Sequence, residues 1–137
     1  MNIQSALQNL NWLAIIVAAV SAFALGGLWY SALFSKAWLK ESGITNESYS
    51  RKNMGLVFGL SFVLSFIAAF FLAMFIGSDS SAGAGALAGF MAGLGWVFTF
   101  LGIIYLFESR TLRLFLIDAF YCVVALTIMG AIIGAWQ

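Results

Sequence analysis

Four apolar runs dominate this chain: Trp12–Phe34, Met54–Ile76, Ala84–Phe107 and Leu112–Trp136. Each exceeds the roughly 20 residues an α-helix needs to cross a hydrocarbon core of about 30 Å. Helix is the form such runs take in lipid, because backbone N–H and C=O groups find no water there and must pair within the segment. Only 8% of the residues are charged and 64% are hydrophobic, against about a quarter charged in an ordinary soluble domain. The expected fold is an all-α integral membrane protein, one four-helix transmembrane domain over residues 1–137.

The connections between the runs orient it. Lys36, Lys40, Arg51 and Lys52 lie between the first and second runs, and Arg110 and Arg113 between the third and fourth. These are all six Lys and Arg residues of the chain. In a serpentine of four spans the two connections face one side, and the termini and the middle loop face the other. The positive-inside rule then places the basic loops in the cytoplasm and both termini outside it. The flank Met1–Asn11 has no basic residue and the first run is too long for the core of a signal peptide, so a permanent helix is expected there.

Several function classes are disfavoured. A net charge of +1 gives no reason to expect a nucleic-acid partner. The four basic residues of the first connection are few, and mixed with Glu41 and Glu47, so they do not make a strong polybasic lipid site. One cysteine, Cys122, excludes an internal disulfide, and the absence of histidine removes the commonest general base and metal ligand. An enzyme is not expected, nor a cofactor or metal. Cys122 reads as a small apolar filler.

Beyond Phe34 the segment Ser35–Ser42 contains good helix formers, with Gly43 suited to end a helix and Thr45 or Asn46 to cap the next. The pattern predicts helices one and two extended into a cytoplasmic hairpin over residues 35–53, with an irregular loop as the alternative. Asn46-Glu47-Ser48 matches a glycosylation sequon, which a cytoplasmic turn would leave unused. Gly77–Gly83 reads as a flexible outer turn, and Glu108–Thr111 is so short that helices three and four must be antiparallel neighbours. Trp12 and Trp136 suit the outer aromatic belt, and Trp29, Tyr30 and Tyr105 the inner one. Trp96, near the middle of helix three, reads as lipid-facing or packed.

Small residues recur every fourth position: Ala14, Ala18, Ala22 and Gly26 on helix one, Ser61, Ser65, Ala69, Ala73 and Gly77 on helix two, and Gly85, Gly89 and Gly93 on helix three. Without a hydrophobic drive between helices in lipid, such stripes let backbones approach and supply packing energy. They serve either the bundle itself or a homo-oligomer. Helix three is expected to make the closest contact, with Phe98 on its opposite face. Leu25-Gly26…Trp29-Tyr30 faintly echoes Leu101-Gly102…Tyr105-Leu106, as a two-plus-two parallel repeat would.

Asp118 is the one ionisable residue well inside a run. Carboxylates in spans are rare and face a bundle interior, a partner or a water cavity. Helical spacing puts Tyr121, Cys122 and Ala125 on its face, and depth counting brings Tyr30 and Ser31 of helix one level with it. The candidate polar layer or ion site is therefore Asp118, Tyr30, Ser31 and Tyr121. In one reading Asp118 binds a proton or cation. In the other it accepts hydrogen bonds from Tyr30, Ser31 or Tyr121, or pairs with Arg110 or Arg113, and locks the bundle. Glu108, Arg110 and Arg113 otherwise form a solvated cluster.

Asn11-Trp12-Leu13-Ala14, then Gly26-Gly27-Leu28-Trp29-Tyr30-Ser31 with Phe34, Lys36 and Trp38, resemble the N-terminal signature of the bacterial membrane proteins grouped as domain of unknown function 1761. Tyr105–Ile117 followed by Asp118 and Tyr121 resembles that family's second signature, and Met129–Gly134 its closing helix. The resemblance implies a small four-helix protein of the bacterial inner membrane, with no assigned activity and no catalytic residue to transfer. Two function classes remain: a non-enzymatic protein that associates with itself or with a larger membrane complex, and a small proton- or cation-coupled transporter or channel using Asp118.

Overall fold

The computed structural model describes residues 2–45 and 53–136. Side-chain caps set most helix starts. The Asn2 side chain accepts from the first-turn amides of α1 (Ile3–Gln8), and Asn11 from Ala14 of α2 (Trp12–Leu28). After α3 (Ser35–Ser42), Asn53 caps α4 (Met54–Ile76) through Leu56. Ser81 caps α5 (Ala82–Ala92), and Thr111 caps α7 (Leu112–Ala135), with α6 (Phe98–Phe107) between them. Such caps satisfy amides that the first turn of a helix leaves unpaired. The short α1 has no counterpart in the apolar runs, since it is half polar. The third span opens at Ala82 rather than Ala84 because Ser81, not a hydrophobic residue, decides where it starts.

Four helices are long and apolar enough to cross a membrane: Trp12–Leu33, Met54–Ile76, Ala82–Phe107 and Leu112–Ala135, here spans one to four. The protein is an all-helical, four-helix membrane bundle. Spans one and three are not uniform α-helices. Each contains a π turn, at Trp29–Leu33 and Gly93–Val97, marked by the Phe34 N–H donating to the Trp29 carbonyl at 2.9 Å and the Phe98 N–H to the Gly93 carbonyl. The chain leaves helical geometry at Phe34 (φ −127°, ψ 17°) and restarts as α3, which corrects the expectation of one helix continuing past the membrane surface. Gly43, in the left-handed conformation at φ 74°, ends α3. The return half of the expected hairpin, with Asn46, Glu47, Arg51 and Lys52, lies outside the described residues.

Span four is central and touches the other three. Span one packs on α7 and α4, whereas span three leans on α7 and meets α4 only glancingly. Ala18, Ala19 and Ala22 of α2, Ala69, Leu72 and Ala73 of α4, and Ala125, Met129 and Ile133 of α7 form the core. The alanine stripe of span one is therefore used within the chain.

The span three–span four contact is closer still. A Cβ on Gly85 would overlap the Gly130 carbonyl, one on Gly89 the Leu126 carbonyl, and one on Gly93 would come within 2.9 Å of the Val123 Cα. Gly130 and Gly134 answer from α7: a Cβ on either would strike the backbone of Gly85 or Ser81. Two small-xxx-small pairs thus face each other in antiparallel array, a geometry that maximises backbone contact. Gly26 is different. The atom nearest to a Cβ there is the Tyr121 hydroxyl, at 3.1 Å, so this glycine makes room for a ring rather than a helix.

The π turn rotates the lower part of span three. Gly93 and Tyr105 are twelve residues apart, about 120° out of line on a regular helix. One extra residue in a π turn reduces that to about 20°. Tyr105 consequently faces span four. Phe98 also turns inward, meeting the Phe115 and Phe120 rings edge-on at centroid distances of 4.8 and 5.7 Å. The expectation that Phe98 lies opposite the glycine stripe is corrected for this reason.

Candidate functional site

Asp118 lies in the half of the bundle nearer the basic connections, on the face of α7 between spans one and three. Its Oδ1 accepts a hydrogen bond from the Tyr30 hydroxyl at 2.7 Å, and its Oδ2 accepts one from the Tyr105 hydroxyl. A single half-buried carboxylate thereby clasps both flanking spans. Bonds from a hydroxyl to an ionised oxygen are among the stronger neutral-to-charged contacts, and two of them offset much of the cost of holding a carboxylate away from water.

Of the four residues expected in this layer, Tyr30 is a direct partner and two are not. The Ser31 hydroxyl turns back to the Gly27 carbonyl one turn earlier, as serines in membrane helices do. Tyr121 packs edge-on against Tyr30 at 5.5 Å, but its hydroxyl donates to the Ala22 carbonyl at 2.9 Å. Neither arginine reaches Asp118. Arg110 pairs with Glu108 at 3.2 Å and lies 5.7 Å from the Tyr105 ring centroid, while Arg113 turns towards α3. The unanticipated partner is Tyr105, which reads from sequence as an interfacial belt residue. Its depth was visible, but its direction depends on the π turn.

The aromatic layer around the clasp is likewise internal rather than a belt. The Trp29 indole N–H donates to the Ile117 carbonyl at 3.0 Å, and its ring lies 4.8 Å from Phe34. Trp38 of α3 packs edge-on against Tyr30 at 5.1 Å. At the other end Trp12 stacks with Phe66 and Phe70 at 6.4 and 5.8 Å, and Asn11 Nδ2 donates to the Trp136 carbonyl at 2.8 Å, tying spans one and four.

Beside the clasp, spans one and two diverge. The divergence leaves a groove of about 600 Å³ whose walls include Phe23, Phe58, Tyr30 and Trp38, with Ser61 and Ser65 on its span-two side. An open glycine helps to form it: Gly27 lines the groove, and nothing lies within 4 Å of a Cβ built there. Among the described residues no three Cys, Asp or Glu side chains converge as metal ligands would.

With this geometry in view, the comparison with known families is decisive on kinship. The profile of a protein of unknown function, DUF1761, matches residues 13–134. The chain belongs to this family. The matched region takes in Tyr30, Tyr105 and Asp118 together with all of the glycine contacts between spans three and four, and leaves out only α1, the Asn11 cap, Trp12 and the last residues. No match is found among curated proteins or among solved structures.

Proposed function

We propose that this DUF1761 protein is a non-enzymatic component of the bacterial inner membrane that works by association, first with a second copy of itself, through the outer face of span three. Both termini lie outside the cytoplasm in this reading. The observation that carries it is Trp96. It stands in the π turn midway along span three, 63% exposed, with no acceptor for its indole N–H among the described residues. A donor left unpaired in hydrocarbon is unfavourable, and a neighbouring helix can supply the oxygen it lacks. Beside it nothing lies within 4 Å of a Cβ built on Gly95, so the backbone there is open to close approach by a second copy. A projecting ring beside bare backbone is a pairing that a two-fold symmetric contact makes twice.

Oxidative cross-linking in native membranes tests this. In a Cys122→Ser background, Met91→Cys on the outer face of span three is expected to give a disulfide-linked dimer, and Leu64→Cys on the lipid-exposed face of span two is not. Equal cross-linking at the two positions, or none at Met91→Cys, removes the association reading. Reporters fused after Gln137 and in the Gly43 turn are expected to read as periplasmic and cytoplasmic respectively.

A second reading is favoured by the groove between spans one and two, which abuts Tyr30: a small proton- or cation-coupled transporter or channel using Asp118. Against it stands the carboxylate's engagement by two hydroxyls of its own chain. Proton flux in liposomes that Asp118→Asn abolishes, while the fold survives, would put this reading in place of association.

A further inference from the structure

α3 folds back across the start of span four. The Thr111 hydroxyl, which caps α7, also donates to Glu41 Oε2 at 2.7 Å, and this contact holds the end of α3 over the turn between spans three and four. Between α3 and the first turn of α7 lies a cleft of about 520 Å³, which Lys36, Lys40 and Arg113 all line. The two lysines are one helical turn apart on one face of α3, an arrangement that like charges disfavour. Arg113 sits in the first turn of α7, where the helix dipole favours an anion.

Nothing in the described chain neutralises this convergence. Glu41 is engaged by Thr111 and Glu108 by Arg110, and no carboxylate pairs with Lys36, Lys40 or Arg113 among the described residues. Ser35 adds a hydroxyl to the lining. The cleft opens where spans one and four end. Leu33, which lines it, is 57% exposed and Leu112 is 70% exposed, so apolar surface continues from the cations into the hydrocarbon layer. The sequence of the first connection alone understates the charge here, because the third cation comes from the other basic connection.

We propose that this cleft binds the phosphate of an anionic phospholipid, with Lys36, Lys40 and Arg113 as ligands and the acyl chains running along Leu33 and Leu112. A phosphodiester carries the charge the three cations lack. A glycerol-linked lipid also presents that charge at the depth where the spans meet the headgroups. Arg113 offers a planar fork to two phosphate oxygens, and each lysine a point charge.

Native mass spectrometry of the full chain in detergent tests the proposal. The probes are 1-palmitoyl-2-oleoyl phosphatidylglycerol and the phosphatidylcholine with the same chains. The wild type is expected to retain phosphatidylglycerol selectively. Replacing Lys36, Lys40 and Arg113 together by Gln is expected to weaken that retention about a hundredfold, to the phosphatidylcholine level. Should the triple variant fail to fold, Lys40→Gln alone is expected to weaken it about fivefold. Arg110→Gln, whose charge is paired elsewhere, is expected to leave it unchanged. Equal retention of the two lipids, undiminished retention in the triple variant or in a folded Lys40→Gln, or displacement of phosphatidylglycerol by excess inorganic phosphate would each overturn the assignment. The last would make this a site for a free anion.

Discussion

The two ends of this bundle are held together by opposite means. At the end bearing the termini, Ala18, Ala19, Ala69 and Ala73 and the four glycines Gly85, Gly89, Gly130 and Gly134 let the helices pack closely. At the basic end the helices are kept apart by Trp29, Tyr30, Phe98, Tyr105, Phe115 and Tyr121, and are joined by hydrogen bonds through Asp118 and the Ile117 and Ala22 carbonyls. A bilayer offers helices little hydrophobic reason to associate, which leaves close packing and polar contacts. Here the two are largely separated along the membrane normal, the Asn11–Trp136 hydrogen bond and the Trp12 stack being the exceptions. The glycine seam of the close-packed end, where backbone meets backbone, has no side chain with which to adapt. The aromatic end leaves a groove and a cleft, and both candidate ligand sites lie there.

Substitutions at the two ends should therefore fail differently. The largest effect is expected from Gly89→Leu. Its side chain has no volume to enter beside the Leu126 carbonyl, and backbone cannot relax as a rotamer can, so a loss above about 3 kcal/mol is expected. Unfolding in mixed detergent micelles, followed by circular dichroism, measures it. Tolerance of this change would mean that the close-packed end is not the rigid one.

Next comes Asp118→Leu, which removes the acceptor of both tyrosine hydroxyls and is expected to cost about 1–3 kcal/mol in the same assay. Asp118→Asn keeps one carbonyl oxygen and should fall between Leu and wild type, since an amide nitrogen cannot accept the second hydroxyl. If Asn proves as damaging as Leu, the charge matters more than the count of acceptors.

Smaller again is Tyr105→Phe, which deletes one hydroxyl and keeps the ring, at about 0.6–1.7 kcal/mol. It should be non-additive with Asp118→Leu in a double-mutant cycle, whereas Gly89→Ala combined with Asp118→Leu should be additive, the sites being at opposite ends. Phe98→Leu is expected to cost about 1 kcal/mol, because the ring meets Phe115 and Phe120 rather than lipid.

What could be read without the structure follows the same division. Length, hydropathy and charge placement reveal the spans, and four-residue spacing reveals the stripes, because these depend on depth and on regular helical phase. Tyr30 could be matched to Asp118 by depth alone, since the π turn of span one begins only at Trp29, one residue before it. Tyr105 could not, because the π turn at Gly93–Val97 intervenes and no residue type announces one. The hydroxyl partners of Ser31 and Tyr121 are illegible for a related reason: side-chain rotation decides whether a hydroxyl meets a carboxylate or a nearby backbone carbonyl. Gly130 and Gly134, the mates of the span-three stripe, resemble any other glycines until the facing helix is known.

The π turn of span three also bears on how such a chain tolerates change in length. Deleting one codon between Gly93 and Val97 would leave a span still long and apolar enough to insert, with every loop and charge unaltered. The half beyond the deletion would keep its facing, because eleven residues of regular helix set Gly93 and Tyr105 the same roughly 20° apart as twelve that include a π turn, and that tyrosine would still face Asp118. Gly85 and Gly89, upstream of the deletion, would keep their seats. Such a loss would leave the clasp latched, whereas one residue gained there would swing the far half by about 100°, giving a protein packed at one end and unlatched at the other.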